Sequence, residues 1–299
     1  MGSLYAGSKA VLLKGTTPEI ILDAVSKEQC TIVWLLVPWA QDILAALDRG
    51  DIKLEDYKLD QWRLMHIGAQ PVPPSLIRRW KQYFPHHKYD TNYGLSESTG
   101  PGCVHLGLDN IDKVGSIGIP GYRWSCKIVD ENGNEVKQGE VGELCVKGPG
   151  VMTCYYNDPK ATAETLKNGW LYTGDMAMQD EDGFYFLVDR KKDVIVSGGE
   201  NIYPKEVEDC IASLKQDVKQ VCVLGMPDPV WGEQVTACIV LKEGSKLTED
   251  DIVAWCKKHI ASYKKPRKVI FFSQLPENAN GKVSRILLKD QIQKGEIRS

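Results

Sequence analysis

The stretch Lys88-Tyr89-Asp90-Thr91-Asn92-Tyr93-Gly94-Leu95-Ser96-Glu97 decides how this chain is read. Lys88–Thr91 reads as a short strand, and just beyond its carboxyl end come an aromatic ring, a glycine, a hydroxyl and a carboxylate. Upstream, helical and extended patterns alternate. Thr17-Pro18-Glu19 is a helix start, with Thr17 as N-cap and Pro18 in the first helical position, followed by Ile20, Ile21, Ala24 and Val25 at helical spacing. A strand over Ile32–Val37, a helix over Gln41–Leu47 closed by Gly50, a strand over Leu64–Ile67 and a helix over Ser75–Tyr83 complete the series. The apolar run Thr31–Ala40 predicts a buried strand ending at Pro38, and it falls well short of the about 20 residues a membrane span needs. Such alternation predicts an α/β layer with parallel strands, whose ligands lie beyond the carboxyl ends of the strands.

From Ser116 to Val188 the pattern changes to short strands and tight turns. Asn132-Gly133 and Asp182-Gly183 are hairpin signals, because these residue types tolerate positive φ. This part is expected to form an antiparallel sheet or a small distorted barrel, interrupted by one helix over Pro159–Leu166. Beyond Arg190, helices over Pro204–Leu214, Glu249–His259 and Ser284–Gln293 alternate with strands over Val221–Gly225, Val235–Leu241 and Val269–Phe272. That is a compact α+β unit of about a hundred residues. The charged run Asp189-Arg190-Lys191-Lys192-Asp193 is the expected junction, dividing the chain into 1–191 and 192–299.

Composition bounds the function. With 299 residues, 42% hydrophobic and 26% charged, the chain is an ordinary globular protein of about two domains. Its 37 basic residues against 40 acidic ones leave a net charge of −3, which gives no support to nucleic-acid binding as its main task. Nine cysteines without a C-x-x-C pair read as reduced thilos in a cytoplasmic setting, consistent with a start, Met1-Gly2-Ser3-Leu4, that lacks a basic lead-in and apolar run. His66, His86, His87, His105 and His259 show no metal-binding spacing.

Three segments hold residues suited to chemistry. Tyr93-Gly94-Leu95-Ser96-Glu97 offers a flat ring, close backbone approach, a hydroxyl and a hard oxygen ligand, though a polar turn with Glu97 in solvent would look the same. Trp170-Leu171-Tyr172-Thr173-Gly174-Asp175 ends in a carboxylate able to accept two ribose hydroxyls, or simply to cap a turn. Asn280-Gly281-Lys282 precedes the last helix and offers a mobile point charge, or one more surface lysine.

Taken together and in order, these segments resemble the adenylate-forming superfamily of acyl-CoA synthetases, luciferases and nonribosomal adenylation domains. Gly68-Ala69-Gln70-Pro71 looks like its adenine-facing loop, and Tyr93–Glu97 is similar to its Y-G-x-[ST]-E motif. Gly142-Glu143-Leu144 through Tyr155, Tyr172-Thr173-Gly174-Asp175, Asp189–Asp193 with Ser197-Gly198-Gly199-Glu200-Asn201-Ile202, and Gly281-Lys282-Val283-Ser284-Arg285 resemble the motifs that follow. The resemblance implies the C-terminal part of a large adenylation domain, an α/β layer plus a small distorted β-barrel, followed by a small mobile α+β lid.

The same resemblance implies roles. ATP and a carboxylic acid would form an acyl-AMP, and CoA would then take the acyl group. Glu97 would hold Mg²⁺; Gly68, Ala69, Gln70 and Tyr93 would flank the adenine; Thr91, Asn92 and Ser96 would line the nucleotide; Asp175 and Arg190 would hold the ribose. Lys282 would bridge carboxylate and α-phosphate, Lys192 would be the hinge, and Gly198 and Gly199 would line the path of the CoA thiol. The run Ser197–Pro204 favours acyl- or aryl-CoA synthetases over amino-acid-activating domains, with a fatty or other aliphatic acid as the expected substrate.

The family's Gly/Ser/Thr-rich loop for the β- and γ-phosphates has no counterpart here, since Gly281-Lys282 is followed by Val283 and no G-x-x-x-x-G-K-[ST] occurs. The expectation is negligible ligation by this chain alone, with a missing N-terminal half supplied in trans or homo-oligomerisation covering exposed core. A non-enzymatic nucleotide- or CoA-binding remnant and an amino-acid-adenylating domain are the competing expectations.

Overall fold

The computed structural model describes residues 6–68, 72–277 and 283–295. Helix α1 (Pro18–Glu28) starts where Thr17 accepts a hydrogen bond from the Ile20 amide, and it buries Ile21, Leu22 and Val25. Strand β1 (Ile32–Leu36) pairs in parallel with β2 (Leu64–Gly68), and β2 with β3 (Lys88–Asp90), in the order β1-β2-β3. Helix α2 (Val37–Arg49) and helix α3 (Pro74–Tyr83) alternate with these strands.

Two expectations for this region need correction. Pro38 does not end a strand inside the core; it stands in the first turn of α2, where a missing N–H costs nothing and the fixed φ is already helical. The strand before it is covered on one face only: Leu35 is 1% exposed, whereas Ile32 is 49% and Trp34 52% exposed. At the edge of the sheet, alternate side chains point to opposite faces and only one meets the core. That core contains Leu22, Leu35, Ile43, Leu44, Met65, Ile67 and Ile77, with Trp62, Trp80 and Phe84 around a buried His87.

The strand expected over Lys88–Thr91 stops at Asp90. A new strand, β4 (Asn92–Leu95), pairs antiparallel with β5 (Gly100–His105), which pairs with β6 (Ile119–Pro120). The chain thus changes sheets at Thr91, between the parallel layer and a hairpin. Tyr93 and Leu95 lie in a strand, and Ser96–Ser98 form one 3-10 turn.

Next come β7 (Ser125–Val129), β8 (Gly142–Lys147), helix α4 (Pro159–Thr165), β9 (Leu166–Lys167), β10 (Trp170–Gln179) and β11 (Tyr185–Arg190). Their order is β11-β10-β8-β7, with β9 also against β10. Among the described residues this sheet is open and no barrel closes, which corrects the barrel expectation. Closure requires the outer strands to pair with each other; here Tyr185 of β11 bridges Gly118 and Val129 of β7 bridges Glu135.

The remaining residues build β12 (Ile195–Ser197), β13 (Glu200–Ile202), helix α5 (Pro204–Ala212), β14 (Val218–Asp228), β15 (Gly232–Leu241), helix α6 (Glu249–His259), β16 (Lys268–Phe271) and helix α7 (Arg285–Lys294). The strand order is β13-β12-β15-β14, with β16 parallel to β15. Both faces are covered. Val223, Ala237 and Ile239 pack with Val207, Ile211, Ile252 and Cys256 of α5 and α6, while Cys222, Leu224, Cys238 and Val240 pack with Leu288 of α7. Helix α6 opens on a reciprocal cap between Thr248 and Asp251, and its acidic first turn and basic last turn both complement the helix dipole. The chain divides into two compact units, Met1–Thr173 with Ala177–Leu187, and Gly174–Met176 with Val188–Ser299.

Candidate functional site

In the first unit, the candidate residues gather where β2 and β3 end. Gly68 is the last residue of β2; Ala69 and Gln70 lie outside the described residues. Thr91 is buried, and its carbonyl accepts the Leu106 amide at 3.1 Å. Asn92 donates through Nδ2 to His66 Nε2 at 3.1 Å, and His66 Nδ1 lies 3.3 Å from Asp90 Oδ2. Asp90 Oδ1 accepts the Gly107 amide at 3.1 Å. Burial alone would raise the Asp90 carboxyl, but the His66 and Gly107 hydrogen bonds and the neighbouring histidines outweigh it and hold the group below its ordinary value. An ionised Asp90 on Nδ1–H leaves Nε2 as the acceptor that Asn92 requires. The sequence gives no local sign of this chain of three side chains, because His66 and Asn92 are 26 positions apart.

The Tyr93 ring is buried, packed in a core with Cys103, Val104, Ile117 and Leu144. Ser96 is exposed and Glu97 half-buried. Glu97 is not an idle solvent carboxylate: Tyr155 donates its hydroxyl to Oε1 at 2.8 Å, and the Glu97 carbonyl accepts the Met152 amide at 2.7 Å. The bond to Glu97, followed by burial, pushes the Tyr155 phenol above its ordinary value. Thr99, at φ 60°, donates its hydroxyl to the Gly150 carbonyl at 2.6 Å, so the turn after β4 is stitched to the loop 148–152. Gly150 is required there, since a Cβ would lie 2.8 Å from the Ser98 carbonyl oxygen. Tyr155 also walls a cleft of about 370 Å³ with Cys154, Asp158, Pro159 and Thr162.

Among the described residues, no group of three or more His, Cys, Asp or Glu side chains could hold a metal ion. As an Mg²⁺ ligand, Glu97 would supply one hard carboxylate and leave the other positions to phosphate oxygens and water, which is how Mg²⁺ is usually held at nucleotide sites.

In the second unit, Asp175 follows Gly174, whose φ is +71°, and is 5% exposed. Arg190 Nε meets Asp175 Oδ1 at 2.7 Å, so two residues 15 positions apart in sequence form one ion pair. Thr173 donates its hydroxyl to the Leu144 carbonyl at 2.7 Å. Lys192 is exposed in the 3-10 turn Lys191–Asp193. Gly198 and Gly199, at φ +63° and +85°, form the tip between β12 and β13. The Gly198 amide donates to the Trp231 carbonyl at 2.9 Å, and a Cβ on Gly198 would lie 2.7 Å from the Trp231 ring. Arg267 covers that ring at 3.9 Å. Trp231 had no signal in the sequence beyond a glycine next to it. Lys282 lies outside the described residues.

The chain matches the pattern of the AMP-binding enzyme family over residues 1–156, and that of the AMP-binding enzyme C-terminal domain over 206–282. It belongs to the AMP-binding enzyme family. A feruloyl-CoA synthase of Amycolatopsis sp is 36% identical over 297 residues, 99% of this chain and 57% of the relative. A long-chain-fatty-acid–CoA ligase of Salmonella typhimurium is 41% identical over 225 residues, 75% of this chain and 39% of the relative. Among solved structures, o-succinylbenzoate CoA synthetase of Bacillus subtilis, in complex with ATP and magnesium ion, superposes with a TM-score of 0.84 at 30% identity, covering 96% of this chain and 57% of that one. The chain spans about half the length of the curated relatives it matches. No described helix is long and apolar enough to cross a membrane.

Proposed function

We propose that this chain is the nucleotide- and CoA-handling part of an ATP-dependent acid–CoA ligase, which joins a carboxylic acid to AMP and passes the acyl group to CoA. The observation that carries the reading is the buried Asp175 carboxylate, set one residue after a left-handed glycine and paired with Arg190 at 2.7 Å. A carboxylate can accept about four hydrogen bonds, so it can hold a guanidinium and two ribose hydroxyls together. The relatives are named as CoA ligases for feruloyl and long-chain acyl groups, which supports the reaction class.

In this proposal Gly68, Ala69, Gln70 and Tyr93 flank the adenine, while Thr91, Asn92 and Ser96 line the nucleotide. Glu97, steadied by Tyr155, supplies the protein oxygen for Mg²⁺, which would neutralise phosphate charge. Lys282 brings its ammonium to the acid carboxylate and the α-phosphate, where charge develops. Residues 192–299 act as a mobile lid with Lys192 as its pivot, and Gly198 and Gly199 let the CoA thiol pass close to the backbone. A fatty acid is the proposed acid. A cytoplasmic setting suits nine free thiols. Ligation by the chain alone stays negligible, because the sequence offers no glycine-rich loop to cradle the polyphosphate.

Calorimetry with AMP tests the core of this. Asp175→Asn removes charge-assisted hydrogen bonds worth about 1.5–3 kcal/mol, so AMP affinity should fall about 10- to 100-fold. An unchanged affinity, or no AMP binding by the parent chain, overturns the reading. Pyrophosphate release with aryl and C8–C16 acids, with and without a polypeptide covering the rest of the relatives' length, then identifies the acid; AMP binding without turnover in the complete mixture points to a binding module.

A further inference from the structure

One end of the second unit carries cations without matching carboxylates. Helix α6 closes on Lys257, Lys258 and His259, the 3-10 turn Ser262–Lys264 follows, and Lys265 and Arg267 stand just before β16. The acidic residues of α6, Glu249, Asp250 and Asp251, sit at its other end, about 16 Å away. Lys264 is neutralised, since its ammonium meets both Glu206 oxygens, at 2.7 and 2.8 Å. Lys265 donates instead to the Ser262 carbonyl at 3.3 Å. Among the described residues, Lys257, Lys265 and Arg267 form no ion pair. Burial first, and then the charges of Arg267 and Lys257, hold the Lys265 ammonium below its ordinary pKa. The negative end of the α6 dipole accounts for Lys257, but Lys265 and Arg267 lie beyond the helix.

The same end exposes apolar side chains. Asp228 Oδ1 accepts the Val230 and Trp231 amides, both at 2.9 Å, which fixes the turn between β14 and β15 with Val230 78% and Trp231 40% exposed. The Arg267 guanidinium lies 3.9 Å from the centre of the Trp231 ring and joins the cations to this tip. Tyr263, in the 3-10 turn, is exposed as well. Ammonium and guanidinium groups beside exposed Trp, Tyr and Val suit the headgroup layer of an anionic bilayer. The cations meet lipid phosphates there, and the rings settle at the boundary with the acyl chains. A soluble phosphate would engage the cations alone and leave Val230 in water. With a net charge of −3 the chain as a whole has no general attraction to anions, so the complementarity is local.

We propose that this end of the second unit, Lys257, Lys265 and Arg267 with Val230, Trp231 and Tyr263, docks on the surface of a bilayer that carries anionic lipid. The proposal goes beyond the ligase reading and does not depend on it.

Co-sedimentation of the full chain with vesicles tests it, using phosphatidylcholine alone or with about 30% phosphatidylglycerol. Binding to the anionic vesicles should be at least about tenfold stronger, and should fall at least about fivefold between about 0.1 and 0.5 M salt. Lys257→Gln with Lys265→Gln, which spares the Arg267–Trp231 stack, should weaken it about 10- to 30-fold, since each cation at the surface contributes about fivefold. Val230→Ser should weaken it about threefold through lost apolar burial. Lys215→Gln with Lys219→Gln, at the start of β14, should change it less than about threefold. Equal binding to both kinds of vesicle, or binding unchanged in the Lys257/Lys265 variant, overturns the proposal. So does an absence of binding to anionic vesicles; if calorimetry then shows pyrophosphate bound by the parent and lost in that variant, the cations serve a soluble phosphate instead. The AMP titration of the functional reading is a separate measurement, so failure of one is distinguishable from failure of the other.

Discussion

Gly118→Ala should destabilise the first unit by about 3–5 kcal/mol, a large share of the about 5–15 kcal/mol that holds a typical domain folded. Gly118 has φ +105°, and a Cβ there would lie 1.8 Å from the His105 carbonyl oxygen and 2.2 Å from the Leu106 nitrogen. Both neighbours are backbone atoms and cannot swing aside. Overpacking costs about 1–3 kcal/mol, and a non-glycine residue held at such a φ adds a similar amount. Relief by movement is blocked on both sides. The Gly118 carbonyl accepts the Tyr185 amide at 2.8 Å, and the Leu106 amide is bonded to the Thr91 carbonyl at 3.1 Å. Displacing His105 and Leu106 would therefore push on Thr91, where the chain changes sheets just before Tyr93–Glu97. Thermal unfolding followed by circular dichroism should show a lowered first transition, and a Tm within a degree or so of the parent would contradict the close contact.

The second large effect concerns acid. His87 is 6% exposed, among Trp62, Trp80 and Phe84, and the Trp80 indole Nε1–H donates to its Nδ1 at 3.3 Å. Burial first, then the charges of Lys81 and His86, push its pKa down from 6.5 to about 4. The unfolded chain thus binds a proton that the folded chain refuses. Stability is therefore unaffected by this group above about pH 6.5 and declines progressively as pH falls from 6.5 towards 4, by about 3 kcal/mol in all. Urea unfolding read by tryptophan fluorescence at pH 7, 5.5 and 4.5 should show the first unit weakening across this window. His87→Phe should flatten the slope while lowering stability at pH 7, because the buried Trp80 N–H loses its acceptor at a cost of about 1–3 kcal/mol. An equal slope in parent and variant would rule out His87 as the titrating group.

Features set by neighbours in sequence were legible without a structure. Thr17-Pro18 starts α1, Gly50 closes α2 in a left-handed conformation, and α6 runs over Glu249–His259 as its charges and cap require. These depend on backbone groups within one turn, so residue type and order suffice. Pro38 was ambiguous for the same reason: proline suits the end of a strand and the start of a helix, and only the packing of α2 decides between them. The break at Thr91 was equally hidden, since residues 88–95 look extended throughout and the change of sheet is a matter of partners. Whether β7 and β11 close a barrel likewise depends on edges that are far apart in the chain.

What the sequence by itself determined is the ordered set of motifs, and with it the family and the kinds of side chain that the proposal assigns to the nucleotide: a carboxylate at 97, another at 175 and an amine at 282. Only the tertiary structure decided which groups those side chains meet. Tyr155 on Glu97, Arg190 on Asp175, His66 between Asp90 and Asn92, and Arg285 among Glu208, Val223 and Asp193 join residues many positions apart. A side chain's type states what it can bond to, but its partner is chosen by whichever distant segment packing brings within about 3 Å, and that choice is settled only when the sheets and helices have found their order.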